Sequence, residues 1–450
     1  MLNICHYVYG LEPYRTGGSI SFATFLIEKQ SDTNNVFILY PGHYSRDGVT
    51  LIKESKALYK SIKAYELTNP KPIPICNGIL DINPYVNDYS LETWDDFFDK
   101  TQIDIIHVHT LFGLDRCFFE SCRNHNIKTI FTSHDIFGIC PKAAPLLFDY
   151  CNGKPSELCS YCSKNAFSEK QNKILQSNAY LKCKNSSLIK LLRKIKRNKR
   201  AETEVLKAND EKTILTLLNK ESRNYKQLQD YYMSLVNMFD CVHFNSKMTK
   251  DLFLTYSQPK TYFVEPVFHK NIKDNRKKHT KVVDPQLVKL LILGTGKGMF
   301  TYLDVLDEIW NEGIRNFALD IYSSNDCEKR PYLSKHGPYK INELDNIYNS
   351  SDILLFKENT FATFSFIVYE AISYGVPCIL SGPVGIKDLV EANNLGFVTD
   401  NDKEKIKEQL IKILNNHESI KEKQQSIINC KLDFNGNGFF ENYKKYLYGK

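Results

Sequence analysis

Nowhere in the 450 residues do roughly 18 apolar residues stand together, so the sequence offers no membrane-spanning helix. The opening "MLNICHYVYG" lacks the basic residues and long apolar run of an export signal, and a cytoplasmic location is expected. For a chain of this size without such a signal, thirteen cysteines point to thiols or metal ligands rather than to disulfides. No nucleic-acid-binding module is recognisable and aromatics are not interleaved with the basic residues, so nucleic acid is not an expected partner.

What is present is enough apolar sequence, 42% of the residues, to bury a full core, on a chain too long for one ordinary domain. The net charge of +7 has one main source. The run "SLIKLLRKIKRNKR", residues 187–200, holds seven Lys or Arg and no acid. Leu188, Leu192 and Ile195 recur there at helical spacing, the pattern of a helix lying on an anionic membrane surface. A solvated basic helix fits the same residues.

Two series of buried strands alternate with amphipathic helices. The first reads "LNICHYVYG", "NNVFILYP", "IDIIHVHT", "IKTIFTSHD" and "CVHFNSK"; the second reads "VKLLILGTGKG", "FALDIYSS", "SDILLF", "VPCILSG" and "LGFVTD". Short apolar strands separated by helices specify parallel sheets covered on both faces. The expected fold is therefore α/β, with two Rossmann-like doubly wound domains. An N-terminal domain is expected over 1–268, with a Cys-rich and basic helical insertion at about 140–235. A linker over 269–282, a C-terminal domain over 283–430 and a closing helix over 431–450 complete the division. Ligands of open α/β sheets bind at loops that lead into helix N-termini.

Within the second series, "TFATFSFIVYEAISYGVPCIL" carries a single carboxylate, Glu370, in an apolar run. Upstream, "GTGKG" places Lys297 between glycines at a strand-to-helix transition. This is not a P-loop, because Gly298 and Met299 follow the lysine where that motif needs Ser or Thr. Together with "TGGSIS", "DIIHVH", "TSHDIFGICP" and the closing "FFENYKKYLYG", the segment "SSDILLF…ATFSFIVYEAISYGVPCILSGPVGIKDLVEANNLGFV" resembles the retaining GT-B glycosyltransferases of family 4, the glycosyl transferases group 1. The resemblance is ordered over some 400 residues. It implies a GT-B architecture, in which the two domains face a central cleft and the last helix returns to the N-terminal domain.

The resemblance also implies roles. Glu370 would accept ribose hydroxyls of a nucleotide-sugar donor, while Thr363, Phe364 and Ser365 form the turn whose N–H groups face its phosphates. Lys297 would neutralise the leaving diphosphate. His134 of "TSHD" would meet the transferred sugar, with His109 a lesser candidate and Asp135 orienting the ring. Gly17 and Gly18 would let backbone approach phosphates and acceptor. Each residue also has a plain structural reading: Glu370 as a dipole-placed helix acid, Lys297 as a solvated turn residue, His134 as a strand-end core histidine. The chain departs from the family at Ala362, where a second glutamate usually stands, and in having no Arg a few residues before Lys297. Glu358 is a neighbour able to replace the missing acid. No Asp-X-Asp ends a suitable strand, which favours transfer without a metal cofactor.

Cys140, Cys151, Cys159 and Cys162 fall within 23 residues, more than an even scatter would place there. Two readings fit: a structural zinc site stapling a loop, or free thiols. The expected function is retaining transfer of a hexosyl group from a nucleotide-diphosphate sugar to a glycan or lipid-linked acceptor. Such a protein would act in surface polysaccharide or glycoconjugate biosynthesis, at the inner face of the membrane, with residues 187–200 on anionic lipid. A GT-B protein that scaffolds a partner enzyme without catalysis is the alternative.

Overall fold

The computed structural model describes residues 1–10, 15, 17–45, 47–55, 62–74, 77–184, 186–187, 189–191, 211–276, 283–284, 286–294 and 298–448. The chain divides into two compact units. Unit 1 comprises Met1–Phe244, Asp251–Phe263 and a C-terminal stretch from Tyr446; unit 2 comprises Asn245–Lys250 and Val264–Lys445.

Unit 1 is built on a sheet of eight strands in the order β3-β4-β2-β1-β5-β6-β7-β8. These are β1 (Asn3–Tyr7), β2 (Asn35–Pro41), β3 (Ile52–Glu54), β4 (Lys63–Leu67), β5 (Ile105–Val108), β6 (Lys128–Ser133), β7 (Cys241–Phe244) and β8 (Tyr262–Val264). From β4 to β7 the pairing is parallel, and β3 runs antiparallel at the edge. Every residue of β5 and β7 is buried, which is why these strands read as continuous rather than alternating apolar runs. Helix α1 (Gly18–Ser31) buries Phe22, Leu26, Ile27 and Gln30. The described parts of the insertion between β6 and β7 carry short helices; its last helix, Arg223–Val236, ties down the cysteine-bearing loop through Gln229 Nε2, which donates to Ile139 O (3.0 Å) and Gly153 O (2.8 Å).

Unit 2 holds six parallel strands in the order β11-β10-β9-β12-β13-β14. They are β9 (Val288–Leu293), β10 (Phe317–Tyr322), β11 (Leu333–His336), β12 (Ile353–Lys357), β13 (Cys378–Ser381) and β14 (Gly396–Val398). One core cluster joins Leu290, Ile292, Leu303, Leu306 and Leu319; another joins Leu291, Leu354, Val368, Ile372 and Leu380. Alternate residues of β9 thus enter different clusters, as expected for a sheet covered on both faces.

All ten strand runs read from the sequence are strands. The remaining strands, β3, β4, β8 and β11, are three to five residues long, and β3 and β11 carry "IKE" and "LSKH", with no apolar run to announce them. The segment 269–282 behaves less like a free linker than its composition implies. Its first part packs within unit 2, with Ile272 in the core and the Arg276 guanidinium donating to Ile427 O (2.8 Å) and Cys430 O (2.6 Å) beside Asp274. Residues 277–282 lie outside the described residues. Of the closing helix, Asn437–Tyr448, the part up to Lys445 groups with unit 2; Tyr446 groups with unit 1, where its hydroxyl donates to Tyr262 O (3.3 Å).

Candidate functional site

In unit 2 the loop after β12 leads into the helix Phe366–Ser373. Ser365 is its N-cap, accepting from Val368 N–H (3.4 Å). At the other end Gly375, at φ 80°, donates to Ile372 O (2.9 Å), and Val376 donates to Ala371 O (2.9 Å); this left-handed step ends the helix before Pro377. Glu370 lies on the buried side, 7% exposed, and accepts the Tyr348 hydroxyl at Oε2 (3.1 Å). Burial pushes its carboxyl up to about 7, and the Tyr348 hydrogen bond pulls the other way. The Tyr348 ring is itself stacked on Tyr374, with centroids 4.8 Å apart.

The three residues before this helix divide between tasks. Thr363 is held on both sides: its hydroxyl accepts from Asn245 Nδ2 (2.8 Å) and its carbonyl from Thr249 Oγ1 (3.4 Å). Phe364 packs edge-on against Phe366 and Tyr369. Ala362 sits in a backbone ladder, donating to Pro383 O (2.9 Å) and accepting from Gly385 N (2.8 Å). Glu358 folds back on its own turn, with Oε1 accepting from Asn359 N (3.0 Å), Thr360 N (3.2 Å) and Thr360 Oγ1 (2.9 Å). That oxygen is therefore engaged locally and does not stand in for an acid at Ala362. Lys297 lies outside the described residues. The glycine after it, Gly298, opens the helix Gly298–Asn311, where a Cβ would come within 2.2 Å of Lys357 O; only glycine lets the helix start so close to β12.

In unit 1, Gly17 (φ 140°) precedes α1, and Gly18 opens it. Ser19, Ile20, His109, Thr110 and Asp135 line a cavity of ≈ 40 Å³ beside this N-terminus. His134 is half-buried, and its Nε2 meets His109 Nδ1 at 3.2 Å. Asp135 does not orient the ring as expected; its Oδ1 accepts the Phe137 N–H (2.9 Å) in a tight turn, and His109 takes the position at Nε2. Burial holds His134 down to about 3 and His109 well below its ordinary range, so both rings are neutral at pH 7.

Cys140, Cys151, Cys159 and Cys162 share one neighbourhood, the last three each acting electrostatically on Cys140. Burial pushes Cys159 up to about 11 and Cys162 up to about 12. Among the described residues, the group of potential ligands whose atoms lie within 4.8 Å of one another is His6, His107 and His109, and the cysteines are not in it. Of the basic run 187–200, Leu188 and residues 192–200 lie outside the described residues. No described helix is long and apolar enough to cross a membrane.

Sequence reasoning passed over Tyr348, Asn245, His6 and Gln30. The histidines alone left a trace: His6 and His107 occupy equivalent positions of two apolar strand runs, and the structure pairs them in register.

Two parallel-sheet α/β units of this kind define the GT-B fold, and solved structures of that fold match along the whole chain. Sucrose-phosphate synthase from Thermosynechococcus elongatus is 12% identical with a TM-score of 0.53, covering 100% of both chains. WaaG, a glycosyltransferase involved in lipopolysaccharide biosynthesis, is 11% identical with a TM-score of 0.53, over 99% of this chain and 100% of its own. HepE of Anabaena, in complex with UDP and glucose, is 10% identical with a TM-score of 0.52, over 98% and 99%. Residues 335–430, which contain Glu370 and its helix, match the family model described as Glycosyl transferases group 1. Match and fold together support a GT-B glycosyltransferase. No curated protein matches the chain.

Proposed function

We propose that the protein is a retaining, metal-independent hexosyltransferase that moves a sugar from a nucleotide-diphosphate donor to a glycan or lipid-linked acceptor. The observation that carries this reading is Glu370, a desolvated carboxylate held by Tyr348 within the segment that matches the glycosyltransferase family model. A ribose offers hydroxyl donors to such an acceptor, and the helix N-terminus at Ser365 favours the negative charge of a diphosphate. Lys297 neutralises the leaving group, and His134 serves a sugar hydroxyl in unit 1. HepE was solved with UDP and glucose, which supports the donor class; WaaG acts in lipopolysaccharide biosynthesis, the kind of product expected here. The basic run 187–200 supports a peripheral place on an anionic membrane at the cytoplasmic face.

The test is release of free nucleoside diphosphate by the purified protein across a panel of nucleotide sugars. Release from one donor, lost in Glu370→Ala, is expected. No release from any donor, despite tight binding of nucleotide, would favour the scaffold reading that Ala362 suggests.

A further inference from the structure

The cavity of ≈ 40 Å³ beside the start of α1 is lined by polar groups that the fold leaves unused. Asp135 lines it from the turn after β6. Its Oδ1 accepts the Phe137 N–H (2.9 Å), and none of the described residues donates to Oδ2. Thr110, 5% exposed, lines the cavity just past β5; its hydroxyl accepts the Phe112 N–H (3.2 Å) and donates to none of the described residues. On the α1 side the Ser21 N–H is the first to bond within the helix, to Gly17 O (3.0 Å), so the N–H groups of Ser19 and Ile20 before it have no partner there. Val8, Ala23 and Phe112 complete the wall with apolar surface.

His109 lines the same cavity but is already engaged at both ring nitrogens. Its Nε2 meets His6 Nδ1 (3.1 Å) and its Nδ1 meets His134 Nε2 (3.2 Å), in a row that begins where His6 Nε2 meets Gln30 Oε1 on α1 (2.8 Å). What remains is one acceptor, the Asp135 carboxylate, set among donors: two backbone N–H groups and the Thr110 hydroxyl. An anion would satisfy the donors and be repelled by Asp135, whereas an ammonium would satisfy Asp135 and leave the N–H groups bare. An alcohol hydroxyl donates and accepts, so it serves both sets. The size agrees. A space of ≈ 40 Å³ takes about three water-sized groups, enough for a hydroxyl with the carbon that bears it and too little for a sugar ring.

We propose that this cavity is a subsite for one alcohol hydroxyl of a sugar ligand, which donates to Asp135 Oδ2 and accepts from an N–H at the start of α1 or from Thr110 Oγ1. The subsite stands on geometry; that the alcohol is a sugar's rests on the glycosyl-transfer reading. Burial supports it. Although the hydrogen bond from Phe137 pulls the other way, burial pushes the Asp135 carboxyl up to about 6, so a hydroxyl that donates to the ionised form recovers part of a cost already present in the free protein. The titratable groups beside it are Tyr9 after β1, His109 after β5 and the adjacent His134; α1 brings none to the cavity, and the Arg15 guanidinium lies over the Tyr9 ring at 3.8 Å. Burial keeps both histidines neutral, which leaves the titration near 6 to Asp135.

Carboxyl-carbon spectra of the full chain with isotope-labelled aspartate, assigned through the backbone amides, follow Asp135 directly. In the free protein it should titrate near 6. Glycerol, the simplest polyol probe, should bring that midpoint down to about 5, the effect of one hydrogen bond to the charged form. Asp135→Asn keeps an oxygen for the Phe137 N–H and turns the other position from acceptor to donor, so the turn stays and the subsite goes. With an active nucleotide sugar and water as acceptor, a rise of about tenfold in donor KM in Asp135→Asn assigns the hydroxyl to the donor sugar; an unchanged KM, beside a glycerol response in the wild type, assigns it to the acceptor. A midpoint unmoved by glycerol and by the active nucleotide sugar, as for a cavity that only holds water, would overturn the proposal. So would inorganic phosphate that raises the midpoint, the mark of an anion in this place. Should the variant fail to fold, the wild-type titration still decides. A glycerol response without nucleotide release from any donor would uphold the subsite and remove the glycosyl-transfer reading; nucleotide release by a protein whose Asp135 ignores both probes would do the reverse.

Discussion

Tyr348 donates its hydroxyl to Glu370 across 3.1 Å inside unit 2, and that bond does not offset the burial of the carboxylate it serves. The carboxyl stays raised from its ordinary 4.5 to about 7. A charged group kept where water cannot solvate it costs stability, and a nucleotide hydroxyl is the kind of partner that would recover it.

The cost has a definite pH dependence. Because the folded protein holds the Glu370 proton more tightly than the unfolded chain, stability should fall as pH rises from about 4.5 to about 7 and stay low above that. Glu370→Gln removes the titration. The variant should be more stable than wild type by roughly 2–3 kcal/mol at about pH 8, and no more stable near pH 4, while binding nucleoside diphosphate more weakly. Urea melts at several pH values check the first part and calorimetry the second. Parallel pH profiles for the two proteins would show that the carboxyl is not desolvated.

Lys297 should matter more as charge develops on the leaving diphosphate than in the bound ground state. Lys297→Ala should then depress kcat by ten- to a hundredfold, on the scale of a lost transition-state donor of about 1.4–2.7 kcal/mol. Steady-state kinetics with the active donor measure it. A change confined to KM would reassign the lysine to ground-state binding.

Ala362 distinguishes two histories. Its backbone is fixed in the ladder with Pro383 and Gly385, and Oε1 of the nearby Glu358 is bonded to its own turn. For a competent enzyme whose donor makes no carboxylate contact at this point, Ala362→Glu introduces an unpaired charge and should lower turnover. In a decayed enzyme the same change should create or raise sugar transfer. Nucleotide release by both proteins across one donor panel separates the cases, and a gain in the variant would sink the claim that the natural chain is a working transferase.

Replacing Lys190, Arg193, Lys194, Lys196 and Arg197 with Gln should release the protein from anionic vesicles, since each basic residue near such a surface contributes about 1 kcal/mol. Turnover on a soluble acceptor should be unchanged. Co-sedimentation that persists in the variant would place the membrane contact elsewhere.

The fold was legible because its buried strands are apolar on both faces and its helices carry local stop signals. "NICHY", "IIHV" and "CVHF" announce interior strands without reference to partners, and Ser365 and Gly375 delimit the helix of Glu370 by chemistry confined to a few residues. By the same local logic the sequence by itself determined that Glu370 stands alone in an apolar run, that "GTGKG" lies at a strand-to-helix transition, and that two parallel sheets follow each other. Tertiary structure alone decided what each of these groups touches. Tyr348 reaches Glu370 from 22 residues away, Asn245 reaches Thr363 from 118, and the row from Gln30 to His134 joins α1, β1 and the ends of β5 and β6. In a parallel sheet whose strand order departs from chain order, periodicity states which face of a strand is buried, whereas strand order and register choose the neighbour. That is why His134 was visible in the sequence as a candidate, and why its orientation by His109 rather than by the adjacent Asp135 was not.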